Sequence, residues 1–254
     1  MNLKDYFVLK KVEKNNITYL VHFRIYITRG DILKKRYEHK YILRYDQYLQ
    51  LKKKISQLLS VDSNVNSAGY YKVNTLYFDD MYFSAASDKL FGESLHKKFR
   101  IRYYDENKKY KLERKIKVGD LCIKDNYQLN LDQYDLITNG KFILNNYKDN
   151  SIYGEFLKHA KLRMLKPQLL ITYDREAFSD TNNQLRITFD QNIFTSTLNN
   201  YSMARRRVLS KNEVILEIKY THYLPKEIQT ILNMFSPQKI SYSKYAKAFN
   251  ILQN

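Results

Sequence analysis

Along much of this chain polar and apolar residues alternate one by one, which is the period of a β-strand whose successive side chains point to opposite faces. Arg36, Glu38 and Lys40 alternate with Tyr37, His39 and Tyr41; Arg100 and Arg102 with Phe99, Ile101 and Tyr103; Glu113, Lys115 and Lys117 with Leu112 and Ile116. Arg186, Thr188 and Asp190 alternate with Ile187 and Phe189, and Glu217 and Lys219 with Leu216, Ile218 and Tyr220. The pattern predicts strands over 35–44, 72–78, 98–105, 109–118, 121–129, 167–173, 184–190 and 213–220. The polar turn Asp105-Glu106-Asn107-Lys108 makes a hairpin of the third and fourth. Helical spacing follows Asp46, a candidate N-cap, through Leu49, Leu51, Ile55, Leu58 and Leu59. Further helices are expected from Asp79-Asp80 to near Gly92, over 131–138 and 152–164, from Pro225 through Leu232, and over about 243–252. Ile17 to Thr28 reads as one more possible strand.

A half-solvated antiparallel sheet alternates in the same way with its polar face to water. Five strands that mix Arg with Glu, backed by apolar residues, instead predict that both faces are used. The apolar face packs under helices outside, and the charged face lines a lumen. The expected fold class is therefore α+β, a closed antiparallel β-barrel with helices around it. No Pro-, Gly- or Ser-rich linker divides the chain, so residues 31–254 are read as one domain and residues 1–30 as an N-terminal extension of unknown role.

Composition sharpens the chemistry. Lys and Arg total 44 against 26 acidic residues, a net charge of +18, which calls for a polyanionic partner. The 24 Tyr and 13 Phe supply core and strand formers, and stacking of an adenine on one of these rings stays open. Lone Cys122 excludes an internal disulfide and a Cys-based zinc cluster and fits a reducing cytoplasm. No apolar run reaches the roughly 18–20 residues that span a bilayer, so a cytoplasmic protein is expected.

If Lys40, Arg100, Arg102, Lys115, Lys124, Arg175, Arg186, Lys219 and Lys244 share one cavity, their mutual repulsion requires bound anions, and a triphosphate or longer phosphate chain supplies them. Glu38, Glu113 and Glu217 would repel that chain unless a divalent cation, Mg²⁺ or Mn²⁺, bridged them. Each Glu taken alone is as readily a cross-strand partner of Lys or Arg. Asp79-Asp80 reads as a metal pair or a helix cap. The five His residues lack ligand spacing.

Eight ordered motifs carry a family resemblance: Arg36-Tyr37-Glu38-His39-Lys40-Tyr41, Leu76-Tyr77-Phe78-Asp79, Lys98-Phe99-Arg100-Ile101-Arg102-Tyr103, Leu112-Glu113-Arg114-Lys115, Tyr173-Asp174-Arg175-Glu176-Ala177-Phe178, Leu185-Arg186-Ile187-Thr188-Phe189-Asp190, Leu216-Glu217-Ile218-Lys219 and Ser243-Lys244-Tyr245. Over about residues 35–250 the chain resembles the VTC (vacuolar transporter chaperone) domain, a branch of the triphosphate tunnel metalloenzymes. The resemblance implies a barrel of eight strands around a basic tunnel. It implies a polyphosphate polymerase that moves the γ-phosphate of ATP to a growing chain, with Mn²⁺ or Mg²⁺ as cofactor. Under it the nine cations grip phosphate, Arg100, Arg102, Lys115, Arg175 and Arg186 hold the nucleotide, and Glu217, with Glu38 and Glu113, holds the metal. ATP and polyphosphate are then the partners, with no nucleic acid, and a separate membrane protein is a possible partner in export. Hydrolase and cyclase relatives open with Glu-x-Glu-x-Lys; Arg36 at the first Glu position implies a weaker second metal site and favours polymerisation. His96 stands where an Arg is usual, and Lys239 is out of place for a Lys before Ser243-Lys244. A triphosphatase in the same tunnel and a non-catalytic module for polyphosphate or nucleic acid are the competing readings.

Overall fold

The computed structural model describes residues 3–14, 17–28, 37–90, 95–105, 109–118, 121–143, 151–182, 184–197 and 205–253. Arg36, Gly92 and the turn residues 106–108 therefore lie outside the described residues, as does the side chain of His96. Strands β1 (Leu3–Lys14) and β2 (Ile17–Thr28) form a two-stranded antiparallel sheet of their own.

All other strands among the described residues belong to one antiparallel sheet of 11. Eight are long: β3 (Tyr37–Arg44), β5 (Tyr71–Asp79), β6 (Leu95–Tyr104), β7 (Lys111–Val118), β8 (Leu121–Gln128), β9 (Lys166–Ser179), β10 (Leu185–Thr197) and β12 (Glu213–Tyr220). Three have two residues each: β4 (Ser60–Val61), β11 (Arg206–Arg207) and β13 (Gln238–Lys239). The hydrogen-bonded order is β13-β3-β12-β10-β9-β5-β6-β7-β8, with β11 beside β10 and β4 beside β9.

The closed eight-stranded barrel expected from the sequence is thus corrected to an open sheet of 11 strands. β13 pairs with β3 at Tyr41 and Ile42, and the Ile240 amide donates to the Lys40 carbonyl at 2.9 Å. That edge of β3 is the one that β8 would have to occupy. The two end strands meet through side chains instead: Lys124 Nζ of β8 lies 3.7 Å from Glu38 Oε2 of β3. The sheet therefore curls far enough to bring its ends together without a ladder between them.

Six helices cover it among the described residues: α1 (Tyr45–Ile55), α2 (Ser84–Leu90), α3 (Leu131–Thr138), α4 (Ile152–Arg163), α5 (Lys226–Phe235) and α6 (Lys244–Gln253). Tyr48, Leu51 and Ile55 make one stripe on α1, which with Ile228 and Leu232 of α5 buries Phe178, Ile187, Phe189, Leu216 and Ile218. α3 and α4 do the same over Leu76, Phe78, Phe99, Ile101 and Leu112. These four lie on the outer face. The other two correct the expectation that all helices pack outside: Tyr245 and Ala248 of α6 and Ala86 of α2 join Tyr71, Val73, Tyr77, Ile171 and Tyr173 on the opposite face, with Tyr245 stacked on Tyr77 at 4.5 Å. Part of the inner face is apolar, and these two helices cover it.

Local chemistry explains the other differences. Asp46 is not the N-cap of α1; the helix begins after Arg44, whose amide donates to Gln47 Oε1 at 3.0 Å, and Asp46 binds the Arg44 guanidinium. β9 runs past its expected end at Tyr173 through Arg175, whose charge is satisfied by Asp190 across the strands, and β10 continues beyond Asp190 to Thr197. No helix among the described residues is long and apolar enough to cross a membrane.

Candidate functional site

The cross-strand register places every strand-borne candidate on one face. Lys219 pairs with Glu38 and Glu217 with Lys40; Arg186 pairs with Lys219 and Thr188 with Glu217. Asp190 pairs with Arg175, which pairs with Tyr71; on β5, Thr75 and Tyr77 stand beside Arg102 and Arg100. Arg100 is paired with Glu113, and Lys115 with Lys124. Directly opposed residues share a face, so the parity carries through eight strands at these positions, the register shifts after Tyr77 and Gln191 lying beyond them.

On β3 and β12 the charges form an alternating square. Lys40 Nζ lies 2.8 Å from Glu38 and 3.5 Å from Glu217, Lys219 lies 3.7 Å from Glu38, and Lys219 also bonds Glu217. Burial and the neighbouring Glu217 push the Glu38 carboxyl up, but Lys219, Lys40 and Lys124 outweigh them and hold it at about 2. Burial also opposes ionisation of Glu217, yet the surrounding cations, Lys219 and Lys40 foremost, keep it well below the usual carboxylate range. Lys219 is pulled down to about 8 by burial, against Glu217 and Glu38. Burial lowers Lys40 as well, but its two carboxylates prevail and raise it.

Next along the face is a buried triad. Arg175 grips Asp190 with two bonds of 2.6 and 2.8 Å, and Lys244 at the start of α6 donates to the same carboxylate at 2.5 Å. Asp190 is fully buried, and burial is outweighed by Arg175 and Lys244, which hold it at about 2. Beyond it Arg100 bonds Glu113 at 2.7 Å and the Tyr77 hydroxyl at 3.1 Å, while Arg102 lies 3.6 Å from Glu113. Burial would raise Tyr77, but Arg100, Arg102 and Lys244 bring it below its ordinary value. Arg186 faces Asp62 at 2.8 Å and the Tyr71 hydroxyl at 2.9 Å.

The groups join into one circuit. Arg175 and Lys244 act on Glu217, Lys124 acts on both Glu113 and Glu38, and Arg100 faces Tyr173. Among the described residues the nine candidate cations thus meet five carboxylates, Glu38, Asp62, Glu113, Asp190 and Glu217. The Nε–H groups of Arg102 and Arg186 are buried without an acceptor among the described residues. Surplus cations and orphaned guanidinium donors have the same remedy, an anion with many oxygens.

Glu38 and Glu217 are adjacent ionised carboxylates, a donor set that fits Mg²⁺ or Mn²⁺ when phosphate oxygens supply the rest of the shell. Glu113 is engaged by Arg100 and Arg102 and stands apart. Among the described residues no three His, Cys, Asp or Glu cluster as a metal site. Asp79 is a cap: its carboxylate accepts from the amides of Ala85 and Ala86 and from the Tyr245 hydroxyl at 2.6 Å. Sequence reasoning left Asp190 and Tyr77 without roles. The signal for Asp190 was its place in the Arg186, Thr188, Asp190 alternation; Tyr77 has polar alternation on neither side.

Among solved structures the chain is similar to a Bacillus halodurans protein provisionally assigned as an adenylate cyclase (16% identity, 81% of this chain and 92% of that one, TM-score 0.49). It is also similar to a Pyrococcus horikoshii protein (15% identity, 86% and 99%, TM-score 0.45). No curated protein matches it. A family model for the VTC domain matches residues 35–253, which takes in the whole charged face and all six helices, and the chain belongs to that family.

Proposed function

We propose that this protein is a metal-dependent polyphosphate polymerase that transfers the γ-phosphate of ATP to a growing inorganic chain within the bore of the curled sheet. One observation carries the reading: eight cations and three glutamates from strands far apart in sequence share one face, joined there by Lys244 of α6, in a chain of the VTC domain family.

Lys40, Arg100, Arg102, Lys115, Lys124, Arg175, Arg186, Lys219 and Lys244 bind and align phosphate oxygens along the bore, Arg by its planar fork and Lys as a point charge. Arg100, Arg102, Lys115, Arg175 and Arg186 take the nucleotide phosphates. Glu217 and Glu38 hold the divalent ion, which when bound draws charge from the phosphoryl oxygens. Phosphoryl transfer asks little covalent chemistry of a protein, so alignment and charge neutralisation are sufficient roles for these side chains. Asp190 holds Arg175 and Lys244 in place and is itself shielded from phosphate. Residues 31–254 are the catalytic domain in this reading, with β1 and β2 in an N-terminal extension.

The experiment is incubation of the pure protein with ATP and Mn²⁺, read by a polyphosphate gel. A ladder of chains is expected. Orthophosphate released without chains would make the protein a triphosphatase, and binding of chains without turnover of ATP would make it a capture module.

A further inference from the structure

Behind the charged square, on the outer face of the same two strands, lies a second site of opposite character. A cavity of about 660 Å³ opens between β3, β12 and α5, within the size range of small-molecule pockets. The alternation that sends Glu38 and Lys40 inward places Tyr37 and His39 here, and Tyr220 lies beside Lys219 in the same way. Tyr37 stacks on Tyr220 with ring centroids 5.1 Å apart. His39 meets Tyr220 edge to face, its ring nitrogens 3.5 Å from the Tyr41 and Tyr220 hydroxyls. Tyr223 stands at the rim, 79% exposed.

In a protein of net charge +18, the lining of this cavity contains no Asp, Glu, Lys or Arg. Burial, with Lys239 nearby, lowers His39 and keeps its imidazole neutral near pH 7. The pocket has no cation to hold a phosphate. It has aromatic faces, and it has two amides, Gln229 and Asn233, four residues apart on one side of α5. Each amide offers both a donor and an acceptor. Ring faces for stacking beside paired donor and acceptor groups are the recognition chemistry of a planar nitrogen heterocycle.

We propose that this outer pocket binds the base of a nucleotide. The base stacks against the Tyr37, Tyr220 and Tyr223 rings and is read along its edge by Gln229 and Asn233. The nucleotide is either the substrate, reaching round the edge of β3, or a second molecule. The proposal does not rest on the reading of the bore, because a base without phosphate should bind.

The test is calorimetric titration of the full chain with adenosine, which has no phosphate to engage the bore. Saturable binding is expected, weakened about tenfold by Tyr223→Ala, the scale of losing one stacking surface. Asn233→Ala should reduce the preference between adenosine and guanosine, and Arg100→Ala should change neither. Tyr223 is at the surface, so its variant folds, and circular dichroism checks this. If Tyr223→Ala also weakens ATP about tenfold, the base is the substrate's. If ATP affinity is unchanged and adenosine still binds at saturating ATP, the nucleotide is a second one. No saturable binding at millimolar adenosine, equal binding of phenol, or full affinity in a Tyr223→Ala, Asn233→Ala double variant would overturn the proposal.

Discussion

Two charged networks on opposite faces of the sheet are built from the same residue types and differ in balance. On the outer face, Lys97 and Arg114 share Glu155, Arg114 also bonds Asp125, and Arg163 lies 3.4 Å from Asp80, three cations to three carboxylates. His159 adds no charge, since burial and Lys97 push it down to about 4. On the inner face, among the described residues, the nine candidate cations meet five carboxylates. A balanced set needs no added charge, although the Arg114 Nε–H is buried without an acceptor among the described residues, and it joins α4 to the strands beneath it. A surplus of cations is stable only with something negative added, so imbalance separates a binding face from structural polarity more sharply than charge density does.

The largest expected effect tests whether Asp190 is structural glue or part of the anion site. Asp190→Asn leaves Arg175 and Lys244 buried with a weakened partner, at a cost of about 3–5 kcal/mol. Thermal unfolding should show a lower Tm, and inorganic triphosphate should recover more of it than it adds to the wild type, because the anion replaces the missing charge. Equal stabilisation of both proteins would place the triad outside the anion's reach.

Glu217→Gln should lower formation of polyphosphate from ATP and Mn²⁺ by about a hundredfold or more, the scale of losing a key electrostatic group. Affinity for triphosphate, measured calorimetrically, should hold or rise because a repelling carboxylate is gone. Surviving turnover would remove Glu217 from the metal site.

Arg100→Ala and Arg102→Ala should each weaken triphosphate binding by about 1.5–3 kcal/mol, with a shallower dependence on salt. Unchanged affinity in both variants would contradict the inner face as the anion site. As the counterpart on the outer network, Glu155→Gln should cost about 1–3 kcal/mol of stability and leave triphosphate affinity untouched. A change in affinity there would erase the contrast between the two faces.

The smallest effect concerns pH. Lys219 titrates near 8 in the fold against an ordinary 10.5. Its charged form is therefore disfavoured by folding; the penalty is present below about 8 and is relieved as pH rises from there toward 10.5. Stability from this group should rise across that window, while triphosphate affinity should fall by up to about tenfold as a cation is lost. Lys219→Arg should flatten the affinity profile measured from pH 7 to 10.

Much of the bore was legible in advance because a strand's pleat decides parity: once Arg100, Glu113, Arg186 and Glu217 alternate with apolar residues, pairing in any even register puts them on one face. The outer helices followed from stripes such as Tyr48, Leu51 and Ile55. Packing inside the bore was not legible. Nothing local in Lys244-Tyr245 distinguishes a helix laid on the inner face from one laid outside, and the apolar inner residues Tyr77, Ile171 and Tyr173 come from two strands, β5 and β9, far apart in the chain.

The amino-acid sequence by itself determined the order of the eight long strands of the main sheet and of the six helices, the shared face of the charged residues and their excess of cations, since these depend only on backbone geometry and residue type. Tertiary structure alone decided that β13 occupies the edge of β3 and leaves the sheet open. It also decided that Asp190 joins Arg175 to Lys244 and that Asp79 caps α2 instead of binding metal. Those outcomes depend on which distant groups satisfy a buried charge or an unpaired amide, a competition settled by the whole fold.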